Sequence, residues 1–192
     1  MEKLRIGLAL TGSYCTYDKA LAAAEALCEK YDVTALMSET AASTDSRFGE
    51  AEEFIARLEA MTGRRVLRSI VDAEPIGPKK MFDVLVIAPC TGNTAAKLAH
   101  GITDSCVTMA AKSHLRGGGP VLLAIGTNDG LSGSARNIGE LLNRKNIYFV
   151  PFYQDDPAQK PRSLASDYAS LERSILAAVR GEQAQPILSK GE

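Results

Sequence analysis

Three stretches of this chain combine hydroxyl, carboxamide and glycine residues at spacings that suit a polar ligand. Residues 11–13, Thr-Gly-Ser, follow an apolar run and precede a helical pattern. Such a turn suits one phosphate: Gly12 lets the backbone come close, Ser13 offers its hydroxyl, and helix N–H groups with their dipole complete the cradle. A plain tight turn is the alternative. Residues 88–104, Ala-Pro-Cys-Thr-Gly-Asn-Thr-Ala-Ala-Lys-Leu-Ala-His-Gly-Ile-Thr-Asp, follow a second apolar run. The Asn93 carboxamide offers a donor and an acceptor together, and Thr91 and Thr94 add hydroxyls. Helix capping is the ordinary alternative for these residues. The third stretch, 120–128, ends an apolar run in Gly-Thr-Asn.

The elements that must position these residues alternate. Apolar, strand-like runs at 5–10, 33–37, 84–88, 121–125 and 147–150 are separated by stretches with helical spacing. The spacing of Leu21, Ala24, Leu27 and Cys28 predicts a helix that Thr16 could cap, and Phe54, Ile55 and Leu58 predict another over 50–61, stopped by Thr62-Gly63. Further helices are expected near 93–100, 105–115 and 135–143, and a closing amphipathic helix over about 163–180. Residues 66–71 read as a short extra strand, 73–80 as loop because two prolines and a glycine interrupt it, and 151–161 as an irregular crossing. Strands alternating with helices imply parallel βαβ units with right-handed crossovers. The expected fold is therefore α/β: one domain over 1–192, a three-layer sandwich on a Rossmann-like parallel sheet of about five to six strands in the order 3-2-1-4-5. The three polar stretches then fall at the carboxyl ends of strands, where open α/β sheets bind ligands.

Composition narrows the function classes. At 192 residues and 45% hydrophobic content the chain suits a single soluble core, and a formal net charge of -1 gives no drive toward nucleic acid or an anionic membrane. No apolar run approaches the ~20 residues that span a bilayer. Residues 1–3 lead straight into the first strand, so no signal peptide is expected and the location should be cytoplasmic. Cys15, Cys28, Cys90 and Cys106 form no Cys-x-x-Cys pair, and His100 and His114 are the only histidines, so no metal site is expected. The first turn lacks Gly-x-Gly-x-x-Gly, which makes a nicotinamide dinucleotide a poor fit to this chain.

Residues 88–104 resemble the signature of the flavin-binding, cysteine-decarboxylase-type flavoprotein family. Pro89, Asn93, Thr94, Lys97, Ala99, Gly101, Ile102 and Asp104 fall on signature positions, while Cys90, Thr91, Gly92, His100 and Thr103 depart from it. The resemblance implies an FMN site built from Thr11, Gly12, Ser13, Ser38, Thr91, Asn93 and Thr94. FMN is expected rather than FAD because the first turn offers one phosphate cradle and no diphosphate fingerprint. It also implies a homo-oligomer, a trimer or dodecamer of trimers, with flavin at the interfaces between copies. Asn128 matches the end of the family's fourth strand, but Ile125, Gly126 and Thr127 replace its Pro-Ala-Met. An early histidine base and a cysteine-bearing C-terminal flap are absent from the sequence, which disfavours decarboxylation.

A second resemblance covers most of the chain. Residues 44–49 (Thr-Asp-Ser-Arg-Phe-Gly), 73–80 (Ala-Glu-Pro-Ile-Gly-Pro-Lys-Lys), 127–131 (Thr-Asn-Asp-Gly-Leu) and 146–152 (Asn-Ile-Tyr-Phe-Val-Pro-Phe) are similar to the B-subunit family of dipicolinate synthases. This implies a partner A subunit, which could carry NADP or NAD, and oxidation of a dihydrodipicolinate-type precursor in the mother cell of a sporulating bacterium. A small, flat dicarboxylate needs convergent cations or N–H donors. Arg47, Lys79, Lys80 and Asn128 are the expected substrate contacts, with plain surface charge the alternative for the two lysines. Asp104, Asp129 and Glu74 are candidate bases. Two further readings remain open: a non-catalytic partner that shapes the A subunit, and an FMN-dependent decarboxylase of a cysteine-type carboxylate.

Overall fold

The computed structural model describes residues 3–190. Its centre is a parallel sheet of β1 (Arg5–Leu10), β2 (Asp32–Met37), β3 (Val84–Cys90), β4 (Val121–Thr127) and β5 (Ile147–Phe149). Nearly every residue of β1–β4 is buried, which explains why these strands read as continuous apolar runs rather than alternating ones. Alternation decides instead which face each residue enters. Ile6, Leu8, Val84, Val86 and Leu122 pack with Leu21, Leu58 and Ile175 on one face. Ala9, Leu85, Ile87, Leu123 and Ile125 pack with Ala95, Val107 and Leu141 on the other. Helices α1 (Tyr17–Lys30), α2 (Ala51–Thr62) and α7 (Leu171–Val179) thus form one layer. The other consists of α3 (Ile70–Ala73), α4 (Gly92–His100), α5 (Cys106–Arg116) and α6 (Ala135–Leu142).

Local signals account for several boundaries. Gly63 and Gly101 end α2 and α4 in the left-handed conformation, at φ 66° and 70°, where a Cβ is disfavoured. The Ser105 hydroxyl accepts the Thr108 N–H at 3.2 Å to start α5. Thr16 precedes α1 without capping it through its side chain, because its hydroxyl donates to the Ser13 carbonyl at 2.7 Å.

Four expectations need correction. The segment at 66–71 is no strand: it contributes one parallel bridge, Leu36–Leu67, and then turns into α3. With 84–88 as the third strand, as the sequence pattern numbers it, the parallel strands run 2-1-3-4-5 rather than 3-2-1-4-5, because β3 pairs with β1; only with the Leu67 bridge counted as a strand does the order become 3-2-1-4-5-6. The span 73–80 is not wholly loop, since a 3-10 turn at Glu74–Ile76 continues α3. The closing helix begins at Leu171 rather than near residue 163. Ahead of it, β6 (Phe152–Tyr153) and β7 (Leu164–Ser166) form an antiparallel hairpin, with β7 paired to Gly126 and Thr127 of β4. This hairpin extends the sheet beyond its carboxyl edge and stands over the ligand end of the molecule.

Candidate functional site

The carboxyl ends of β1, β3 and β4 open into two adjoining crevices. The larger, about 450 Å³, lies on the β4 side and is walled by the turn after β1, the tips of β3 and β4, the β2–α2 loop and the β6–β7 hairpin. The smaller, about 290 Å³, lies on the β2 side and reaches Ser38, Glu39, Lys97 and Asp104. Gly12, Thr91 and Asn93 line both, so they form the partition between them.

The partition is braced from beneath. The fully buried Thr11 hydroxyl donates to the Pro89 carbonyl at 2.8 Å and accepts the Thr91 N–H at 3.1 Å, tying the end of β1 to the end of β3. The Thr91 hydroxyl accepts the Thr94 N–H at 3.1 Å and donates to the Thr94 hydroxyl at 2.9 Å, which starts α4. The Thr11 and Thr91 hydroxyls are therefore committed to shaping the wall, while the Thr94 hydroxyl accepts from Thr91 and keeps its own proton. Asn93 differs: it is exposed, and among the described residues its carboxamide has no hydrogen-bond partner. The Ser38 hydroxyl accepts the Ala41 N–H at 3.2 Å and keeps its own proton to donate.

Gly92 accounts for one departure from the family signature. A Cβ there would overlap Ser134 Oγ and lie 2.8 Å from Thr127 Oγ1. Those two hydroxyls donate to Asp129 Oδ1 at 2.8 and 2.5 Å, tying the end of β4 to the start of α6, and Gly92 of α4 packs against this cluster. The two donors hold the Asp129 carboxyl below the usual carboxylate range. The Lys97 ammonium, 2.9 Å from Asp104, lowers that carboxyl as well. At the far end of the smaller crevice the Glu39 carboxylate accepts the Cys106 N–H at 3.0 Å, capping α5 from outside.

Of the expected substrate contacts, Arg47 and Asn128 line the larger crevice. Lys79 and Lys80 do not reach it. They lie in the segment entering β3, and the Lys80 carbonyl accepts from Arg5 at the start of β1, which places them at the amino edge of the sheet. Glu74 is also remote, in a shallow groove beside the last turns of α5 with Lys112 and Arg116. The sequence reading missed Tyr14, Cys15, Phe48, Asp155, Lys160 and Ser163, all of which line the larger crevice.

A family profile described as Flavoprotein matches residues 1–153. The chain belongs to the flavoprotein family. It is 45% identical over 185 residues to the dipicolinate synthase B subunit of Bacillus subtilis (strain 168), covering 96% of this chain and 92% of the relative. The crystal structure of the dipicolinate synthase B subunit from Bacillus halodurans superposes with a TM-score of 0.90 at 44% identity, covering 100% of both chains. Burkholderia xenovorans DmrB in complex with FMN superposes with a TM-score of 0.68 at 20% identity, covering 90% of this chain and 93% of that one, which is a likeness of fold. No helix among the described residues is long and apolar enough to cross a membrane.

The donor set suits a flavin. An unpaired carboxamide, a free serine proton and the amino end of α4 converge on one edge of the crevices, and Tyr14 contributes an aromatic wall. At the other end of the smaller crevice stand the Glu39 and Asp104 carboxylates, with the Lys97 ammonium paired to Asp104.

Proposed function

We propose that this chain is the B subunit of a dipicolinate synthase, acting with an A subunit to oxidise a dihydrodipicolinate-type precursor to dipicolinate. Its 45% identity to the Bacillus subtilis relative over 96% of the chain carries this reading. Bound FMN would supply a two-electron acceptor. Asn93 would pair with the polar edge of its ring, Ser38 would donate to it, and Gly12 and Ser13 would hold its single phosphate. Thr11, Thr91 and Thr94 act indirectly, by fixing the partition on which Asn93 stands. Arg47 and Asn128 would hold the substrate on the β4 side of that partition.

Aromatisation removes a hydride and a proton. Asp104 is paired with Lys97, and Asp129 accepts from Thr127 and Ser134, so both are engaged in structural contacts and we assign proton removal to the A subunit, with its NADP or NAD. The same observation supports a second reading, in which this chain holds ligands and shapes the A-subunit site without itself reacting. The crevices opening at the surface support a homo-oligomer, for which we propose a trimer or dodecamer of trimers that completes the flavin site. The setting proposed is the mother-cell cytoplasm.

Titration of FMN with the purified chain, followed by quenching of flavin fluorescence, tests the cofactor assignment. Saturable quenching that weakens in Asn93→Ala is expected. Absence of quenching at tens of micromolar protein, with or without the A subunit, would remove FMN from the mechanism.

A further inference from the structure

We propose that the larger crevice is a two-cation clamp for a planar dicarboxylate, in which Arg47 and Lys160, on separate segments of its wall, reach the two carboxylates and Phe48 covers the ring. This rests on the functional reading above and goes beyond it by assigning Lys160, Phe48 and Asp155.

The β2–α2 loop is built to present two residues. Ser46 and Gly49 exchange backbone hydrogen bonds of 3.0 and 3.1 Å, and the Ser46 hydroxyl accepts the Phe48 N–H at 3.2 Å. The Asp45 carboxylate accepts the Ala51 N–H at 2.9 Å, joining the loop to α2. Gly49 is at φ 142°, and a Cβ there would come within 2.7 Å of the Phe54 ring, so the turn is closely packed on its inner side. These contacts shape the loop and leave the Arg47 and Phe48 side chains to line the crevice. Phe48 is 44% exposed at the rim of the crevice, with the Arg47 guanidinium 4.8 Å from its ring centroid. Among the described residues no carboxylate pairs with Arg47. A guanidinium steadied on an aromatic face is suited to a bidentate hold on a carboxylate.

The part of the crevice wall that carries Lys160 is also fixed. Lys160 N–H donates to the Asp156 carbonyl at 2.8 Å, Gln159 N–H donates to the Asp156 carboxylate at 2.9 Å, and the Gln154 carboxamide donates to the Pro161 carbonyl at 2.6 Å. The turn presents Lys160 to the crevice with only a loose partner, Asp155, at 3.6 Å. A ligand carboxylate would take the place of Asp155 beside this ammonium. The Ser163 hydroxyl and the Asn128 carboxamide, 3.4 Å apart, line the same crevice and supply neutral contacts. An aliphatic or singly charged acid would leave one wall or the aromatic rim without a partner.

Calorimetric titration of the full-length chain with dipicolinate, isophthalate and benzoate tests the clamp. Isophthalate keeps the spacing of the two carboxylates without the ring nitrogen. Wild type is expected to bind both dicarboxylates at least about tenfold more tightly than benzoate. Lys160→Ala and Arg47→Ala should each bring the dicarboxylates down to the benzoate level, Lys160→Arg should retain most of the affinity, and Asp155→Asn should raise it. Far-UV circular dichroism checks that each variant is folded. Unchanged dicarboxylate affinity in Lys160→Ala, or no dicarboxylate binding by wild type, overturns the clamp. If dipicolinate formation by the A subunit still requires this chain, the functional reading survives that result. If the A subunit is fully active alone, the functional reading fails whatever the titrations give.

Discussion

Replacing Gly92 by alanine should damage both the fold and the site, because the new methyl has no room. Its Cβ would overlap Ser134 Oγ and sit 2.8 and 3.1 Å from Thr127 Oγ1 and Asp129 Oδ1. None of these atoms is a free chain end: both hydroxyls donate to the Asp129 carboxylate, and Ser134 is only 4% exposed. Inserting a methylene into a packed site costs about 1–3 kcal/mol. Weakening two hydrogen bonds to an exposed carboxylate adds less than a buried pair would, and the entropic gain of alanine over glycine offsets about 0.5–1 kcal/mol. The net is about 1–2 kcal/mol, which for a chain of this size lowers Tm by about 2–8 °C. Thermal unfolding followed by circular dichroism measures it directly. Gly12→Ala is the control: its Cβ would make only ordinary contact, 3.7 Å from the Tyr14 ring, so Tm should hardly change. Adding Ser134→Ala to Gly92→Ala removes the nearest obstructing atom, so the pair should cost less than the sum of the two single changes. A Gly92→Ala variant as stable as wild type, or strict additivity with Ser134→Ala, would refute the account of this turn.

Three further outcomes follow from other contacts. Burial pushes the Cys90 and Cys106 thiols up to about 12, while Cys15 is exposed on the crevice wall, so iodoacetamide under native conditions should alkylate Cys15 first and a crevice ligand should slow that reaction; mass spectrometry reads both. Burial alone would raise the Asp72 carboxyl, but the Arg68 N–H, the Arg65 guanidinium and Ser69 bring it down to about 2. Its stabilisation is complete above the unfolded value of 3.8 and is lost as pH falls through 2, so Asp72→Asn should destabilise at pH 7 and not at pH 2, flattening the acid limb of the Tm–pH curve. Glu39→Ala removes the carboxylate that caps α5 through the Cys106 N–H and should cost about 1 kcal/mol in denaturant unfolding, whereas an unchanged midpoint would show that the cap contributes nothing.

Much of this architecture was legible because buried parallel strands announce themselves as apolar runs, and because a strand followed by Thr-Gly-Asn-Thr leads naturally into a capped helix. The paired walls around Gly12, Thr91 and Asn93 follow from that grammar. What was not legible has identifiable causes. Leu164–Ser166 spans three residues, too few for an alternating pattern, and its apolar spacing merges with that of the helix beginning at Leu171. The hairpin and its Lys160 therefore left no local signal. Lys79 and Lys80 were misplaced for a different reason: a segment entering a parallel strand lies at the amino edge, and only segments leaving strands reach the ligand edge. Gly92 looked like a departure from a signature until the Asp129 cluster occupied the space of its missing side chain.

The most direct test is dipicolinate formation from the dihydrodipicolinate-type precursor, with FMN and nicotinamide present, by the A subunit alone and with this chain in its wild-type, Asn93→Ala and Arg47→Ala forms. The account predicts little product from the A subunit alone, full activity with wild type, and at least about a tenfold loss with each variant. Full activity of the A subunit alone would contradict it, and wild-type rates with both variants would contradict the site.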